Sequence, residues 1–484
     1  MTSPDAPPTS RRALREQARA AEAVESAAEP DEVDLPEPVS HSGRIALAWV
    51  DVDSLGTRSA PADLAAAASP YIPVLPELVR KRRSPVPALA TIAIVLALLG
   101  GYTAATQLWP TDALIPTVET ADVPAVTAPA SDLTWPDEGV AAAGVGGMDA
   151  VAASSTEAVS MASITKLIAV LMVLEREPLA VGEEGPVREI SSSDRADFWA
   201  TVGRGESALN VPVGGTLTRY QLLQGVLLAS AGNYVDMLTR DYWPTDESFA
   251  AAARTWLDQH GLEGISVVEA TGIDRDDTAD AASLIRLGEL AMAHPVVAEI
   301  VATETAEIAG VGEIENTNPL LGSGGVVGIK TGGLTGFYNL LAAADVDAGD
   351  TTVRVYAVVL GQPTEDLRAS RTQDLLDQIA AEATVPQVLA AGTTVATVTT
   401  AWGTDAEVVT ASDAAVLLWN GASAISEQSI ELGDARDADT TVGSVTLTGP
   451  LGAATADLTL AGDLGEPDAW WRLTHPLELF GLTD

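Results

Sequence analysis

The stretch 158–175 (AVSMASITKLIAVLMVLE) joins a polar turn to a long apolar run. The apolar residues that follow Lys166 include good helix formers, so they predict a buried helix that begins near Ala162. Ser163 then lies on the first turn, where free backbone N–H groups favour negative charge. Lys166 follows one turn later on the same face. Such a lysine can take the proton of the serine hydroxyl if burial or a second cation lowers its pKa.

Lysine is scarce in this chain. Of its 26 basic residues only three are lysines: Lys81, Lys166 and Lys330. Arginine supplies the other positive charges, but arginine cannot act as a base because it does not deprotonate in proteins. Lys330 opens the sequence Lys330-Thr331-Gly332, so both lysines beyond residue 81 lie in motif-like settings. We interpret them as parts of one site; the alternative is that both are ordinary surface lysines.

The composition excludes several classes of function. A formal net charge of −42 argues against nucleic acid as a partner, because phosphate would be repelled. The absence of cysteine excludes disulfides, a thiolate nucleophile and cysteine metal sites. The four histidines are not at metal-ligand spacing, so we predict neither a metal nor a cofactor. A Ser-His-Asp triad is not excluded by count, but the chain has no Gly-x-Ser-x-Gly elbow.

A basic cluster, Arg80-Lys81-Arg82-Arg83, precedes an uncharged and strongly apolar run. The segment 84–108 is long enough to form a helix across a hydrocarbon layer of about 30 Å. Basic residues mark the cytoplasmic side of such spans, so the acidic, proline-rich segment 1–83 is predicted to be cytoplasmic and largely disordered. The prediction is a single-pass protein of the cell membrane with an extracytoplasmic body. The alternative is a buried core helix.

The character of the sequence changes three times beyond the span. Residues 109–133 are rich in Pro, Thr, Val and Ala and predict an extended stalk. Residues 134–384 place helical patterns in the middle and strand patterns later, which predicts an α+β fold with an antiparallel sheet. Residues 385–484 are rich in Thr and Val with turn residues between the runs, which predicts a small all-β domain that Leu473–Leu479 closes.

Three motifs follow one another within 134–384: Ser163-x-x-Lys166, Ser230-Ala231-Gly232-Asn233 and Lys330-Thr331-Gly332. Their order and the surrounding text, such as LTRYQLLQGVLLASAGNYVD, resemble the serine D-alanyl-D-alanine carboxypeptidases, the low-molecular-mass penicillin-binding proteins of peptidoglycan maturation. The resemblance implies a β-lactamase- or transpeptidase-like fold, with helices flanking the sheet and an inserted helical cluster. It also implies an enzyme that trims the terminal D-alanine of peptidoglycan stem peptides and that β-lactam antibiotics acylate.

The first two motifs then carry the acyl transfer. Ser163 attacks the substrate carbonyl and Lys166 takes its proton, with Lys330 nearby to lower the pKa of that base. The hydroxyl of Ser230 relays a proton to the departing amine. Asn233 completes the second motif.

The third motif is assigned to substrate binding. Lys330 and the Thr331 hydroxyl hold a terminal carboxylate. Gly332 and Gly333 let an edge strand approach the peptide closely. By resemblance, the backbone N–H groups of Ser163 and Gly333 form the oxyanion hole, where removing one donor typically costs ~3 kcal/mol of barrier.

The chain departs from the family pattern at two places. The family's second motif is Ser-x-Asn, whereas here Gly232 takes the third position and asparagine follows one step later. Threonine is common two residues after Lys-Thr-Gly, where this chain has Leu334. These departures leave three interpretations open: a slow or altered carboxypeptidase, a cell-envelope binding protein that has lost turnover, and a β-lactamase. Ser230 and Asn233 can alternatively be helix caps.

Overall fold

The computed structural model describes residues 86–111 and 114–483. The segment 1–83, predicted to be cytoplasmic and disordered, lies outside the described residues. The first described element is helix α1, Val86–Leu108, with 23 residues. It is long and apolar enough to cross a membrane, and none of its most apolar window is buried. The helix is therefore compatible with the predicted single-pass anchor.

The remaining elements have the following bounds. The helices are α2 Thr165–Arg176, α3 Ser192–Gly203, α4 Arg219–Leu227, α5 Gly232–Thr239, α6 Asp246–Gln259, α7 Ala281–Ala293, α8 Pro295–Val301, α9 Glu365–Ala383, α10 Ala469–Thr474 and α11 Pro476–Leu479. The strands are β1 Thr117–Thr120, β2 Val140–Val145, β3 Val151–Ala153, β4 Val159–Ser160, β5 Val187–Glu189, β6 Thr216–Thr218, β7 Ile265–Ser266, β8 Thr278–Ala279, β9 Thr305–Ile308, β10 Gly312–Glu315, β11 Val326–Leu334, β12 Phe337–Ala348, β13 Thr351–Gln362, β14 Pro386–Leu389, β15 Thr394–Thr399, β16 Asp405–Thr410, β17 Ala414–Leu417, β18 Ile425–Ile430, β19 Thr441–Gly449 and β20 Gly452–Leu460.

A five-stranded sheet in the order β11-β12-β13-β2-β3 lies at the centre, and every neighbouring pair is antiparallel. Successive residues of each strand face opposite sides. On one side Leu341 and Val358 share a core with helices α2 and α7. On the other side Leu340 and Val359 pack with α9. This architecture confirms the predicted α+β class, an antiparallel sheet flanked by helices. The predicted domain boundaries stay predictions.

Helices α3 to α6 form a cluster inserted between β4 and β7. Three of them begin with a capping box, in which the side chains of Ser191, Thr218 and Thr245 each accept the backbone N–H three residues on. Helix α2 lies inside the body and is buried from Thr165 to Leu174. A 3₁₀ turn, Ala162–Ile164, precedes it directly. The predicted buried helix that begins near Ala162 is therefore confirmed.

Strand β11 is the edge of the central sheet, and it packs on the turn that precedes α2. Gly332 permits this contact, because a Cβ atom there would lie 2.7 Å from the Met161 carbonyl oxygen and 3.3 Å from the Ala162 Cβ. Asn339 of β12 connects the end of β4, just before the turn, to strand β13. Its amide donates to the Ser160 carbonyl at 3.0 Å, and its oxygen accepts a backbone N–H of β13 at 2.8 Å. The start of the buried helix is thus fixed against an edge strand.

The C-terminal part forms a six-stranded antiparallel sheet in the order β1-β15-β16-β20-β19-β18, beside the two-stranded pair β14 and β17. Its first strand comes from 109–133, the predicted stalk. This segment is extended but does not stand free, because β1 pairs with β15 and because Val126 and Ala128 are buried in the core of that sheet. Threonine and valine favour such pairing, which the local sequence alone does not distinguish from a free extended chain.

The end of the chain differs from the all-β prediction. Leu473–Leu479 lies within the two short helices α10 and α11 rather than in a strand. Asp468 caps α10 by accepting the backbone N–H of Trp471 at 2.7 Å, and Pro476 fits the first turn of α11. Tyr102, near the end of α1, donates its hydroxyl to the Leu473 carbonyl at 2.6 Å.

Two neighbouring glycines test the contact between β11 and the turn. We expect Gly332→Ala to destabilise the protein by about 1–3 kcal/mol, because the new methyl group overpacks the Met161 carbonyl. The matched control is Gly333→Ala, whose Cβ would meet only the Tyr338 ring at 3.4 Å. It should change stability by less than ~0.5 kcal/mol. Urea unfolding midpoints of the detergent-solubilised protein measure both, and equal midpoints for the two variants would contradict the packing described.

Candidate active site

Ser163 lies in the 3₁₀ turn and Lys166 in the first turn of α2. Lys166 Nζ is 3.0 Å from Ser163 Oγ and also donates to the carbonyl oxygen of Thr271. Only 3% of the Lys166 surface is exposed. Ala162, just before the serine, has a φ of +50°, a left-handed conformation that costs energy for a residue with a Cβ. The turn therefore presents the hydroxyl to the amine from a strained backbone.

The environment of Lys166 decides whether its amine can accept a proton. Burial lowers the pKa of Lys166 from 10.5 to about 8. Nearby carboxylates oppose that shift, in the order Glu269, Glu206, Asp236 and Asp277. An amine with a pKa near 8 is partly neutral at physiological pH, so Lys166 can serve as a base next to Ser163.

Lys330 lies on β11 and is 1% exposed, and its Nζ donates to the carbonyl oxygen of Thr331 at 3.2 Å. Burial, followed by the positive charges of Lys166 and Arg368, lowers the pKa of Lys330 well below its ordinary value. Lys166 therefore lies close enough to Lys330 to lower its pKa, although the two lysines are far apart in the sequence.

A cleft of about 560 Å³ borders the serine hydroxyl. Five of the predicted site residues line it: Ser163, Ser230, Thr331, Gly332 and Gly333. Both lysines are buried behind this lining. The edge strand β11 forms one wall and pairs with β12 on its other side, so its free backbone edge borders the cleft. Such an edge can bind an extended peptide by adding it as a further strand.

The second motif is divided by the structure. Ser230 has a φ of +60°, and its buried Oγ has no hydrogen-bond partner among the described residues. The side chain of Asn233 points elsewhere: its amide donates to the Leu209 carbonyl at 2.9 Å, and its oxygen accepts the Leu209 N–H at 3.1 Å. The N-cap of α5 is Ala231, without a side-chain cap, so neither polar residue caps the helix. Ser230 is brought to the cleft, and Asn233 is not.

Among the cleft residues that the sequence analysis missed, Thr317 and Arg368 have informative contacts. The hydroxyl of Thr317 lies 2.6 Å from that of Thr331 and 3.1 Å from the Leu228 carbonyl. Arg368, near the start of α9, is buried, and its Nε has no partner among the described residues. Its nearest acidic partner is Glu365 at 4.0 Å. No motif spacing marks either residue, because both reach the cleft from elements that only the tertiary fold brings there.

The arrangement offers what acyl transfer requires. A hydroxyl lies beside a buried amine, a second hydroxyl is free to relay a proton, and cationic side chains border a peptide-sized cleft. Within 86–111 and 114–483, no three His, Asp or Glu side chains come together as ligands for a metal ion.

Comparisons with known proteins found one family model and several solved structures that are similar to this chain. Residues 150–364 match the family model described as D-alanyl-D-alanine carboxypeptidase. Penicillin binding protein 5 from Haemophilus influenzae is 18% identical and covers 69% of this chain and 100% of its own, with a TM-score of 0.48. The Streptomyces K15 DD-transpeptidase is 23% identical and covers 51% of this chain and 100% of its own, with a TM-score of 0.45. A peptidoglycan synthesis regulatory factor from Streptococcus pneumoniae is 22% identical and covers 67% and 98%, with a TM-score of 0.44.

A search of the curated proteins finds no match to the chain. The family match spans all of the sequence from the nucleophile turn to the end of the central sheet, including the three motifs. Over residues 150–364, this chain is similar to the D-alanyl-D-alanine carboxypeptidase family.

Proposed function

We propose that the protein is a membrane-anchored serine carboxypeptidase that removes the terminal D-alanine from peptidoglycan stem peptides. The observation that carries this proposal is the contact of Lys166 Nζ with Ser163 Oγ at 3.0 Å, at the border of a cleft. The match of residues 150–364 to the D-alanyl-D-alanine carboxypeptidase family model supports the reaction class. Burial supports the base, because it holds the pKa of Lys166 at about 8.

The proposed reaction begins with attack of Ser163 Oγ on the carbonyl carbon of the last peptide bond, while Lys166 takes the hydroxyl proton. The tetrahedral intermediate places its oxyanion near the backbone N–H groups of Ser163 and Gly333. The C–N bond then breaks, and the free hydroxyl of Ser230 passes a proton from Lys166 to the departing amine. Water, deprotonated by the same lysine, hydrolyses the serine ester and releases the shortened peptide.

Substrate binding is proposed to involve the edge strand and two cations. The stem peptide adds to β11, and its terminal carboxylate lies near the Thr331 hydroxyl. Because Lys330 is buried behind the cleft lining, the direct cationic contact falls to Arg368 and Arg204, which both line the cleft. Lys330 then acts through the potential that it creates at Thr331. A bound carboxylate would also compensate the poorly paired guanidinium of Arg368.

One observation favours a second candidate function, a binding protein of the cell envelope that has lost turnover. Asn233 is held by the Leu209 backbone outside the cleft, so only one side chain of the second motif reaches the substrate. The unpartnered hydroxyl of Ser230 favours the enzyme instead. A β-lactamase is the remaining alternative, and the rate of ester hydrolysis on a β-lactam separates it from both.

The membrane part of the proposal is a single-pass anchor, α1, with the N-terminus in the cytoplasm and the site outside. The length and apolar composition of α1 support the span. The basic cluster at residues 80–83 supports the orientation.

A fluorescent penicillin tests the nucleophile. We expect it to label the wild-type protein covalently, with the adduct on the peptide that contains Ser163 and slow release of the label. Ser163→Ala should remove the label completely while the circular dichroism spectrum is unchanged. A stem peptide ending in D-Ala-D-Ala should release free D-alanine only with the wild type. Absence of label in folded wild-type protein would overturn the proposal. Labelling without release of D-alanine would favour the binding protein. Rapid release of the label would favour the β-lactamase.

The pH dependence of acylation tests the base. Because the pKa of Lys166 is lowered to about 8, its neutral fraction increases as pH rises toward that value. The acylation rate constant should therefore increase roughly tenfold or more between pH 6 and pH 8. Lys166→Arg should be at least ~10²-fold slower at every pH, because arginine keeps the charge but cannot accept the proton. A Lys166→Arg enzyme with a normal rate would refute the role of the amine.

The absence of cysteine from the natural chain permits a clean test of topology. Single cysteines at Ser26 and at the exposed Glu427 should respond differently to a membrane-impermeant maleimide added to intact spheroplasts. We expect labelling of the cysteine at 427 and protection of the cysteine at 26 until the membrane is permeabilised. The reverse pattern, or equal labelling of both, would contradict the proposed orientation.

A further inference from the structure

The loop 267–277, between β7 and β8, contacts the segment 161–166, which contains Ser163 and Lys166, at three points. The carbonyl of Thr271 accepts from Lys166 Nζ. Gly272 sits so close to the turn that a Cβ there would meet the Ala162 carbonyl oxygen at 2.0 Å. The carbonyl of Asp277 accepts the Met161 N–H at 2.9 Å. The position of the base therefore depends on how this loop is held.

Two acidic side chains hold the loop from inside. The Glu269 carboxylate accepts the backbone N–H groups of Thr271, of Ile273 at 2.7 Å and of Asp274 at 3.3 Å. The Asp277 Oδ1 accepts the backbone N–H of Val268 at 2.7 Å and that of Glu269 at 3.4 Å. Together these bonds close the loop on itself and fix the direction of the Thr271 carbonyl.

The second oxygen of Asp277 is the unusual feature. Asp277 is fully buried, and its Oδ2 meets no donor in the described part of the chain. The Glu269 carboxyl lies within hydrogen-bonding reach of the Asp277 side chain. The buried Asp277 carboxylate and the half-buried Glu269 carboxylate would repel each other, and an anionic Oδ2 would be unsatisfied. One proton on Asp277 would remove both problems, because the carboxyl group could then donate to the Glu269 carboxylate.

The charges around the pair agree with this assignment. Burial, followed by the neighbouring Glu269, raises the pKa of Asp277 to about 8. Burial also acts on Glu269, but the Thr271 N–H and the bond from Asp277 outweigh it and hold the pKa of Glu269 below its ordinary value. The other charged groups that interact with the pair are Lys166 on α2, Asp236 on α5, Asp246 on α6 and Arg204 in the connection after α3. Glu206, in the same connection, acts on Lys166 and Asp236.

We propose that Asp277, as a neutral acid hydrogen-bonded to the Glu269 carboxylate, is a positioning residue that keeps the Thr271 carbonyl directed at Lys166. The inference rests on the proposed function, since it concerns the base of that reaction. Loss of the shared proton places two negative charges side by side inside the loop. The loop then opens, Lys166 loses its orienting acceptor, and acylation slows although the amine itself is neutral.

The test compares pH profiles of penicillin acylation in the full-length, detergent-solubilised protein. The wild-type rate constant should fall roughly tenfold or more between pH 8 and pH 10. In Asp277→Asn the side-chain amide can donate to Glu269 at every pH, so the rate should level off instead of falling. Glu269→Gln removes the other negative charge of the pair, so its acylation rate should level off at high pH in the same way. Glu289→Gln is the matched control: Glu289 is another acid whose pKa is raised by burial, to about 6, but it lies on α7 outside the loop.

Two measurements do not require activity and separate this inference from the proposed function. The wild-type infrared spectrum should contain a protonated-carboxyl band at pH 7 that disappears at pH 9.5, and Asp277→Asn should lack it. The stability that a raised acid contributes is complete below its unfolded pKa and is lost as pH rises through its folded pKa. The wild type should therefore lose more stability than Asp277→Asn between about pH 4 and pH 8, as seen in urea midpoints at a series of pH values.

The outcomes are distinct. No acylation of the wild type by penicillin, with the infrared band present, would overturn the proposed function while keeping the proton on Asp277. A falling high-pH limb retained in both Asp277→Asn and Glu269→Gln would overturn the positioning role. Absence of the carboxyl band from the wild type at pH 7 would overturn the shared proton itself, whichever variants fold.

Discussion

The close approach of strand β11 to the turn that carries Ser163 is the contact on which the rest of the site depends. Gly332 lets the strand backbone pack on the Met161 carbonyl. That contact encloses Lys166 on one side and Lys330 on the other, and both amines lose their water. Desolvation is the largest influence on the pKa of each. Packing between backbone segments thus creates the electrostatic conditions for a lysine to act as a base.

The two amines are buried to a similar extent but have different neighbours. Lys166 is surrounded by carboxylates that oppose the effect of burial, and its pKa falls only to about 8. Lys330 is influenced by the cations Lys166 and Arg368, and they add to burial in lowering its pKa well below the ordinary value. The pKa of Lys166 therefore stays close to the pH at which a base is useful, whereas Lys330 lies on the edge strand β11. The acidic residues near Lys166, including Glu269 and Asp277, therefore help to set the pKa of this amine.

Local signals predicted much of the fold. The apolar run after Lys166 predicted a buried helix, and the grouping of helices before strands predicted an antiparallel α+β body. What the sequence did not reveal depends on long-range register. Strand β1 pairs with β15, which is far away in the sequence, and the residues of neither strand indicate which strand is its partner. The two C-terminal helices were missed because their start signals, Asp468 and Pro476, lie within a few residues of sequence that is typical of strands.

The site shows the same division between local and tertiary information. The spacing of Ser163 and Lys166 is local, so the helix alone brings them together. Ser230 and Asn233 were expected to act together, but the left-handed backbone at Ser230 directs only the serine to the cleft. Arg368 and Thr317 enter from other elements, and no pattern of residue types marked them. The sequence also did not reveal the loop that contacts Lys166, because Asp277 is recognised only by its burial.

The most direct test of the central claim is a titration of the lysine side chains themselves. Protein labelled with ¹³C at lysine Cε has only three such signals, from Lys81, Lys166 and Lys330, and Lys→Arg variants assign them. We predict that Lys166 titrates with a pKa of about 8 and that the pKa of Lys330 is also well below the ordinary lysine value. Titration of both amines near the ordinary lysine value of about 10.4 would contradict this prediction, because neither could then be buried at a shared site.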